Sequence, residues 1–232
     1  MEKALIVAID GPSGAGKSTL SKRLAGELGY INIDTGAMYR AFALAARKKG
    51  VDPADEGGLA LLCPQVLIEF SRKDGQEKVL LNGEDVSTDI RTPEISLLTS
   101  RIAACPAVRR TMVDLQRRMG AKGGVVLEGR DIGTVVFPEA DVKFFLVATP
   151  EERGRRRFEE LKAKGLDVDL DQTIAEVEKR DADDSARAEA PLLQADDAMA
   201  IDTTRMTIDE VLGEMLRVVH DRLEHGHSER QG

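Results

Sequence analysis

The chain has 232 residues, 42% of them hydrophobic and 32% charged, with a formal net charge of -8. That length and apolar content suit one large α/β domain or a core with inserted lobes. The negative balance argues against a broad nucleic-acid or anionic-membrane surface, and no run approaches the length of a transmembrane helix.

The first apolar run, Leu5-Ile6-Val7-Ala8-Ile9, has the length of a fully buried parallel strand, and the chain enters it directly, so no signal peptide is expected. Gly11 to Thr19 is a glycine-rich turn, and Leu20, Leu24, Ala25 and Leu28 recur beyond it at helical spacing. Gly29 ends that helix, and Tyr30 to Ile33 reads as a short strand. Asp34-Thr35-Gly36 then leads into a helix from about Ala37 to Lys49, followed by a short one from about Asp55 to Leu62.

The period then changes. Val66 to Phe70, Lys78 to Leu81 and Glu84 to Val86 are short segments separated by Asp74-Gly75 and Asn82-Gly83, dipeptides that favour type I′ hairpin turns. The spacing predicts a three-stranded antiparallel meander, inserted as a lobe outside the parallel core. Helices are expected from Pro93 to Ala103 and from Pro106 to Met119, each opened by a proline. Val125-Val126-Leu127 and Asp141 to Val147 read as further buried strands. A helix rich in arginine follows, from Glu151 to about Lys164, then a second from about Leu170 to Arg180. Asp181 to Ala190 reads as an acidic loop, Met199-Ala200-Ile201 as a fifth strand, Ile208 to Leu223 as a closing helix and Glu224 to Gly232 as a frayed tail. Cys63 and Cys105, each before a proline, fit neither a metal-ligand spacing nor a disulfide framework, and are expected to be core thiols in a reducing cytoplasm.

Five strands alternating with helices indicate a parallel sheet covered on both faces, with the ligand crevice beyond the strands' carboxyl ends. Asp10, Asp34 and Glu128-Gly129-Arg130-Asp131 all follow strands and should face that crevice.

Strand, glycine-rich turn and helix together make G-x-x-x-x-G-K-S a phosphate cradle. Glycines allow positive φ, so the N–H groups of Gly11, Ser13, Gly14, Ala15 and Gly16 can converge toward an anion around Pro12, and the helix beginning near Lys17, Ser18 and Thr19 adds its own. Lys17 would reach the β- and γ-phosphates of ATP, and the Ser18 hydroxyl would sit near Mg²⁺. Arg40, Arg109, Arg130, Arg180 and Arg187 are candidate partners for a second phosphate, since planar guanidiniums bind its oxygens in pairs. Arg153, Arg155, Arg156 and Arg157 form a denser group, with Arg153 and Arg155 equally readable as a solvated helix face.

The pieces GPSGAGKST, IDTGAMYR, EDVSTDIRTPE, PAVR, EGRDIGTVVFP, EERGRRR and RDADDSARAEAPL resemble those of bacterial cytidylate (CMP) kinases, in that family's order and spacing. The resemblance implies a P-loop nucleoside-monophosphate kinase fold: a core over 1–34 and 104–232, a monophosphate-binding lobe over 35–103 with the meander near 66–86, and a short lid near 151–187. It implies transfer of the γ-phosphate of ATP, with Mg²⁺, to CMP or dCMP, by a cytoplasmic monomer with no nucleic-acid or membrane partner. Thr35, Arg40, Ser100, Arg109, Arg130, Asp131, Arg180, Asp184 and Arg187 match the family's monophosphate site. Among them Arg40, Arg130 and Arg187 would hold the acceptor phosphate, Arg180 and Asp184 would lie by the sugar, and Ser100, Arg109 and Asp131 by the base. Lys17, Arg130, Arg156 and Arg157 would stand around the transferring phosphoryl group. The chain departs from the pattern at Ser18, Thr35, Glu128 and Asp183, where glycine, serine, aspartate and a more basic loop are common. Lobe and lid are expected to close over the nucleotides, because water in the site would hydrolyse ATP. A kinase acting on UMP, AMP or shikimate, or a non-catalytic nucleotide switch, are the competing readings.

Overall fold

Strand and helix alternate from the first described residues of the computed structural model, which describes residues 4–73, 76–187 and 190–228. Strand β1 (Ile6–Asp10) leads into the glycine-rich turn and helix α1 (Lys17–Leu28), which stops where Gly29 adopts φ 67° and the Tyr30 N–H donates to the Ala25 carbonyl. Strand β2 (Ile31–Asp34) feeds helix α2 (Thr35–Lys48), capped by the Asp34 carboxylate accepting from the Ala37 N–H at 2.7 Å. Helix α3 (Glu56–Leu62) precedes strands β3 (Ile68–Lys73), β4 (Gln76–Leu81) and β5 (Glu84–Asp85). Helix α4 (Pro93–Ile102) has Thr92 as its cap and proline in its first turn, and α5 (Pro106–Gly120) follows. Strand β6 (Val125–Glu128) gives way to a single π-helical turn, Ile132–Val136, and then to β7 (Val142–Val147). Helices α6 (Pro150–Ala163) and α7 (Leu170–Ser185), strand β8 (Met199–Asp202) and helix α8 (Ile208–Ser228) complete the chain.

The chain divides into two compact units, one of residues up to Asn32 together with those from Gly120 onward, the other Ile33–Met119. The first is built on a five-stranded sheet in the order β2-β6-β1-β7-β8. β1 runs parallel to β6 on one side and to β7 on the other, and β8 runs parallel to β7. Four of the five residues of β1 are buried, as continuous apolar strands in two-faced sheets must be. Val7, Ile9, Leu20, Leu24, Val126, Phe144, Leu146, Val211 and Met215 pack into one core, so α1 and α8 are held by apolar burial rather than by propensity. Each fully buried leucine or phenylalanine contributes about 1.5–3 kcal/mol. With β1 central, its outgoing loop leaves from the middle of the sheet.

The second unit carries the antiparallel sheet β3-β4-β5. Asn82 at φ 50° and Gly83 at φ 84° make the β4–β5 turn with both central residues at positive φ, as the I′ geometry requires. The Asn82 side chain secures it by accepting from the Leu67 N–H at 2.7 Å. The Asp74-Gly75 turn expected between the first two strands lies outside the described residues, as do Ala188 and Glu189 of the acidic loop and the end of the tail from residue 229.

Two segments differ from the sequence reading. Asp181 to Ser185, taken as the start of a loop, forms the last turns of α7, and the Asp184 side chain is buried there by its two arginine partners. The closing helix runs on through Ser228 instead of ending at Leu223. No described helix is long and apolar enough to cross a membrane.

Candidate active site

The phosphate loop begins where Gly11 takes φ 143°; a Cβ there would stand 2.1 Å from the Leu146 carbonyl oxygen, so only glycine lets the chain leave β1 beside β7. Pro12 and Ser13 cross the top of the turn, Gly14 and Gly16 take φ 78° and 94°, and Ala15 is fully buried between them. Gly16 caps α1 without any side-chain hydrogen bond, which leaves the first-turn N–H groups at Lys17, Ser18 and Thr19 directed along the helix axis. Ser18 and Thr19 are exposed. Lys17 is buried, and its Nζ donates back to the Pro12 carbonyl at 2.6 Å. Burial above all, and then the neighbouring positive charges of Arg130 and Arg180, push the Lys17 ammonium down to about 7 against the opposing pull of Glu128 and Asp10. A glycine-rich turn that opens an uncapped helix beside a buried cation is suited to receive an anion.

The loop is also held from behind. The Thr203 hydroxyl lies 3.2 Å from the Ala15 carbonyl and 3.1 Å from that of Val147. Arg153, one turn into α6, donates from Nη1 to the Ser13 carbonyl at 3.0 Å and from Nε to the Ala148 carbonyl at 2.9 Å.

Around the mouth of β6 a second positive group assembles in the same unit. Arg130 donates from Nε to Asp184 at 2.8 Å, and Arg187 pairs with the other oxygen of that carboxylate. Burial pushes the Asp184 carboxyl up, but Arg130 and Arg187, with Arg180 beyond, outweigh it and hold the group below its usual range. Arg180 is exposed on α7, one residue before Asp181. Asp131 is buried and opens the π-helical turn without capping it through its side chain. That turn hangs on Asp10, whose carboxylate accepts from the Ile132 N–H at 2.9 Å and the Gly133 N–H at 2.7 Å. Burial raises Asp10 to about 6, although both N–H groups and Lys17 oppose the shift.

In the second unit, Thr35 starts α2 as a buried residue, and Arg40 sits one turn on, with Nη2 3.0 Å from Asp34. The Arg40 Nε is buried with no hydrogen-bond partner among the described residues. Arg109 of α5 is buried over the Tyr39 ring, 6.0 Å from its centroid. Ser100 is exposed on α4, its hydroxyl 3.5 Å from the Ser96 carbonyl.

Two expected catalytic residues are already paired within the protein. Arg156 is occupied by Glu152 at 2.8 Å and by the Thr203 carbonyl at 2.6 Å, and Arg157 pairs with Glu160 on the surface of α6. Arg155 is a solvated helix residue bound to Glu152 and Glu159, as one of its two readings held. Arg153 is not: its side chain is 5% exposed. Asp34, read as facing the crevice, serves as a helix cap. Asp10, Arg153, Asp181 and Thr203 acquire their parts only through contacts distant in sequence; Asp10 carried a signal in its place at a strand's carboxyl end and Arg153 in its arginine-rich run, Asp181 and Thr203 none as single residues.

The family model described as Cytidylate kinase matches residues 7–221. Across 222 residues the chain is 68% identical to a cytidylate kinase of Syntrophotalea carbinolica, covering 96% of this chain and 94% of that one. It is 60% identical over 220 residues to a cytidylate kinase of Geobacter sulfurreducens, covering 95% of this chain and 94% of the relative. Among solved structures it is similar to a gluconokinase from Sinorhizobium meliloti 1021, with a TM-score of 0.49, 13% identity and 99% of each chain covered.

Proposed function

The chain belongs to the cytidylate kinase family of enzymes, and on that footing we propose that it transfers the γ-phosphate of ATP to CMP and dCMP, giving ADP with CDP or dCDP. The observation that carries this reading is the meeting of two anion-seeking groups in one unit, the loop around Lys17 and the Arg130–Asp184–Arg187 cluster, close enough that Arg130 depresses the Lys17 ammonium. Phosphoryl transfer between two nucleotides needs little else, since positioning and charge neutralisation do nearly all of the work.

ATP would lay its β- and γ-phosphates in the loop of Gly11, Pro12, Ser13, Gly14, Ala15 and Gly16, against the α1 N-terminus. Lys17 would exchange the Pro12 carbonyl for a phosphate oxygen and regain its full charge. Among the described residues no group of three or more His, Cys, Asp or Glu side chains could hold a metal ion. Mg²⁺ bound to ATP would neutralise charge developing on the phosphates, with the exposed Ser18 hydroxyl as the residue that would contact it. Arg130 and Arg187 would hold the acceptor phosphate; the family pattern assigns Arg40 of the second unit to it too, and its buried Nε–H has a bond to give. By the family pattern Arg180 and Asp184 would lie by the sugar and Ser100, Arg109 and Asp131 by the base, with Thr35 a further residue of the monophosphate site. Arg156 and Arg157 reach the transferring phosphates only if they leave Thr203 and Glu160. The setting is the cytoplasm, where Cys63 and Cys105, both buried free thiols, stay reduced.

A coupled ADP-release assay with CMP, dCMP, UMP and AMP tests the reading. Turnover of CMP and dCMP above the other two is expected; equal rates with UMP or AMP, or ADP release that no monophosphate stimulates, would overturn it.

A further inference from the structure

We propose that Arg153 and Asp181 are positioning residues that clamp the Ser13 backbone on both sides of its Cα and so hold the phosphate loop in its nucleotide-binding shape. The two peptide units that flank the Ser13 Cα are each gripped once. Arg153 donates to the Ser13 carbonyl at 3.0 Å, and the Asp181 carboxylate accepts from the Ser13 N–H at 3.3 Å. The two side chains form an ion pair with each other, which closes a ring through the loop backbone. The Arg153 and Asp181 side chains are 5% and 17% exposed, so water competes weakly for either partner.

The frame behind the clamp is rigid. The Arg153 Nε–H donates to the Ala148 carbonyl at the exit of β7, which fixes the guanidinium to the central sheet. A Cβ on Gly14 would stand 2.9 Å from both the Cβ and the carbonyl oxygen of Arg153, so loop and helix are in contact through backbone. Farther along, a Cβ on Gly154 would meet the Ile174 side chain at 2.4 Å, so α6 and α7 are pressed together there. Asp181 is thus carried to the loop by a helix whose position α6 already sets. Lysine could not replace Arg153, because one ammonium cannot hold two carbonyls and a carboxylate in the directions a planar fork reaches.

The loop's own glycines give it freedom, and freedom must be lost on binding a triphosphate. A clamp that removes it beforehand strengthens binding without touching the ligand. The inference rests on the reading that this loop binds ATP.

The test uses the full chain with Asp181→Ala, Asp181→Asn and Arg153→Lys, followed by amide exchange of Ser13, ATP-binding calorimetry and steady-state kinetics in both substrates. Asp181→Ala is expected to speed Ser13 exchange at least tenfold and to raise KM for ATP about tenfold, the effect of one charge-assisted hydrogen bond. KM for CMP should stay within about twofold. Asp181→Asn keeps an acceptor oxygen and the side-chain volume, so it folds even if the alanine variant does not; it should raise KM for ATP by about threefold. Arg153→Lys should match Asp181→Ala in ATP affinity. Unchanged Ser13 exchange and unchanged KM for ATP in the folded variants overturn the clamp, and so does a lowered KM for ATP, which would make Asp181 a competitor of phosphate. Failure of the wild-type protein to bind ATP overturns the kinase reading instead, while Ser13 exchange still decides the clamp.

Discussion

Asp184 accepts the Nε–H of Arg130 at 2.8 Å with only 4% of its own side chain exposed, while its second oxygen engages Arg187. One buried carboxylate thus sets two guanidiniums side by side that would otherwise repel. Asp184→Asn should leave them splayed and only partly compensated. At neutral pH we expect a loss of about 1–2 kcal/mol of stability, kept modest because both arginines can rehydrate. Because the folded carboxyl lies below its ordinary 3.8, its contribution is present above that value and fades as pH falls through the folded one. Urea unfolding of both proteins from pH 7 downward should show the gap closing toward acid, and KM for the acceptor should rise more than KM for ATP.

Lys17 yields the second prediction. Its ordinary 10.5 is pushed to about 7 by burial and by Arg130. Between those values the unfolded chain binds a proton that the folded one does not, so this residue makes stability rise with pH across that window. Lys17→Met removes a buried charge and should flatten that slope without lowering Tm at pH 7. Activity should fall at least about a hundredfold in kcat, since the ammonium tracks charge that develops on the transferring group. ATP binding by the wild-type protein at pH 8 should take up a proton, read by calorimetry in buffers of different ionisation enthalpy. Near-normal kcat in the variant would sink the assignment of the loop.

The phosphate loop was legible because its demands are local. Positive φ at Gly14 and Gly16 and an uncapped helix start are consequences of nine consecutive residues. The β4–β5 turn was legible for the same reason, through Asn82 and Gly83. Arg153 was legible only by half, because a helical arginine reads equally as solvated until the Ser13 carbonyl, far away in sequence, comes to it. The acidic run at Asp181 looked like a loop because its carboxylates are poor helix formers; Asp184 stays helical since Arg130 and Arg187 neutralise it. The π-helical turn after Asp131 depends on the Asp10 carboxylate, which no period in its own sequence announces. Arg156 and Arg157 were identified by family pattern alone, and a pattern does not say which of two arrangements a long side chain occupies.

Asp10 predicts a pH dependence of opposite sign to that of Asp184. Burial raises its carboxyl from 3.8 to about 6, so folding favours the protonated form. Its contribution is favourable below the unfolded value and is lost as pH rises through about 6, a change worth roughly 3 kcal/mol. Asp10→Asn removes that titration but leaves one of the Ile132 and Gly133 N–H groups facing an amide N–H. The stability of the variant relative to wild type should therefore climb between about pH 3.8 and pH 6 and level off above. A flat difference curve from denaturant unfolding would show that Asp10 stays ionised throughout.

Closure of α6 and α7 over the substrates should be confined to their far ends. Arg153 and Gly154 fix the near end against the loop and against Ile174, whereas Phe158 to Ala163 and the connection to Asp169 lack such anchors. On binding a bisubstrate analogue, amide protection is expected to grow from residue 158 to residue 172 and to change little at 150–155. Gains spread evenly along both helices would mean that the pair moves as one body from its root.

Base selectivity is the last prediction and centres on Asp131. Its side chain is buried, follows Arg130 at the carboxyl end of β6, and does not cap the turn it opens. Cytosine presents an amine donor beside the N3 and O2 acceptors, whereas uracil presents O4 and an N3–H. A carboxylate accepts well from the cytosine amine, the pairing proteins also use to read that base in DNA. Against uracil O4 it would face a second acceptor and stand desolvated without a donor. A site built on such a bond rejects the mismatched analogue by several powers of ten, on the order of 10⁴. The family pattern alone assigns Arg109, held over Tyr39, to O2 or N3 and Ser100 to the amine. Asp131→Asn should lower kcat/KM for CMP and narrow its lead over UMP, because the amide can turn an N–H toward O4. If Asp131 instead only orients Arg130, both monophosphates lose activity alike. An unchanged CMP-to-UMP ratio in the variant, measured by ADP release, would reject the base-reading role.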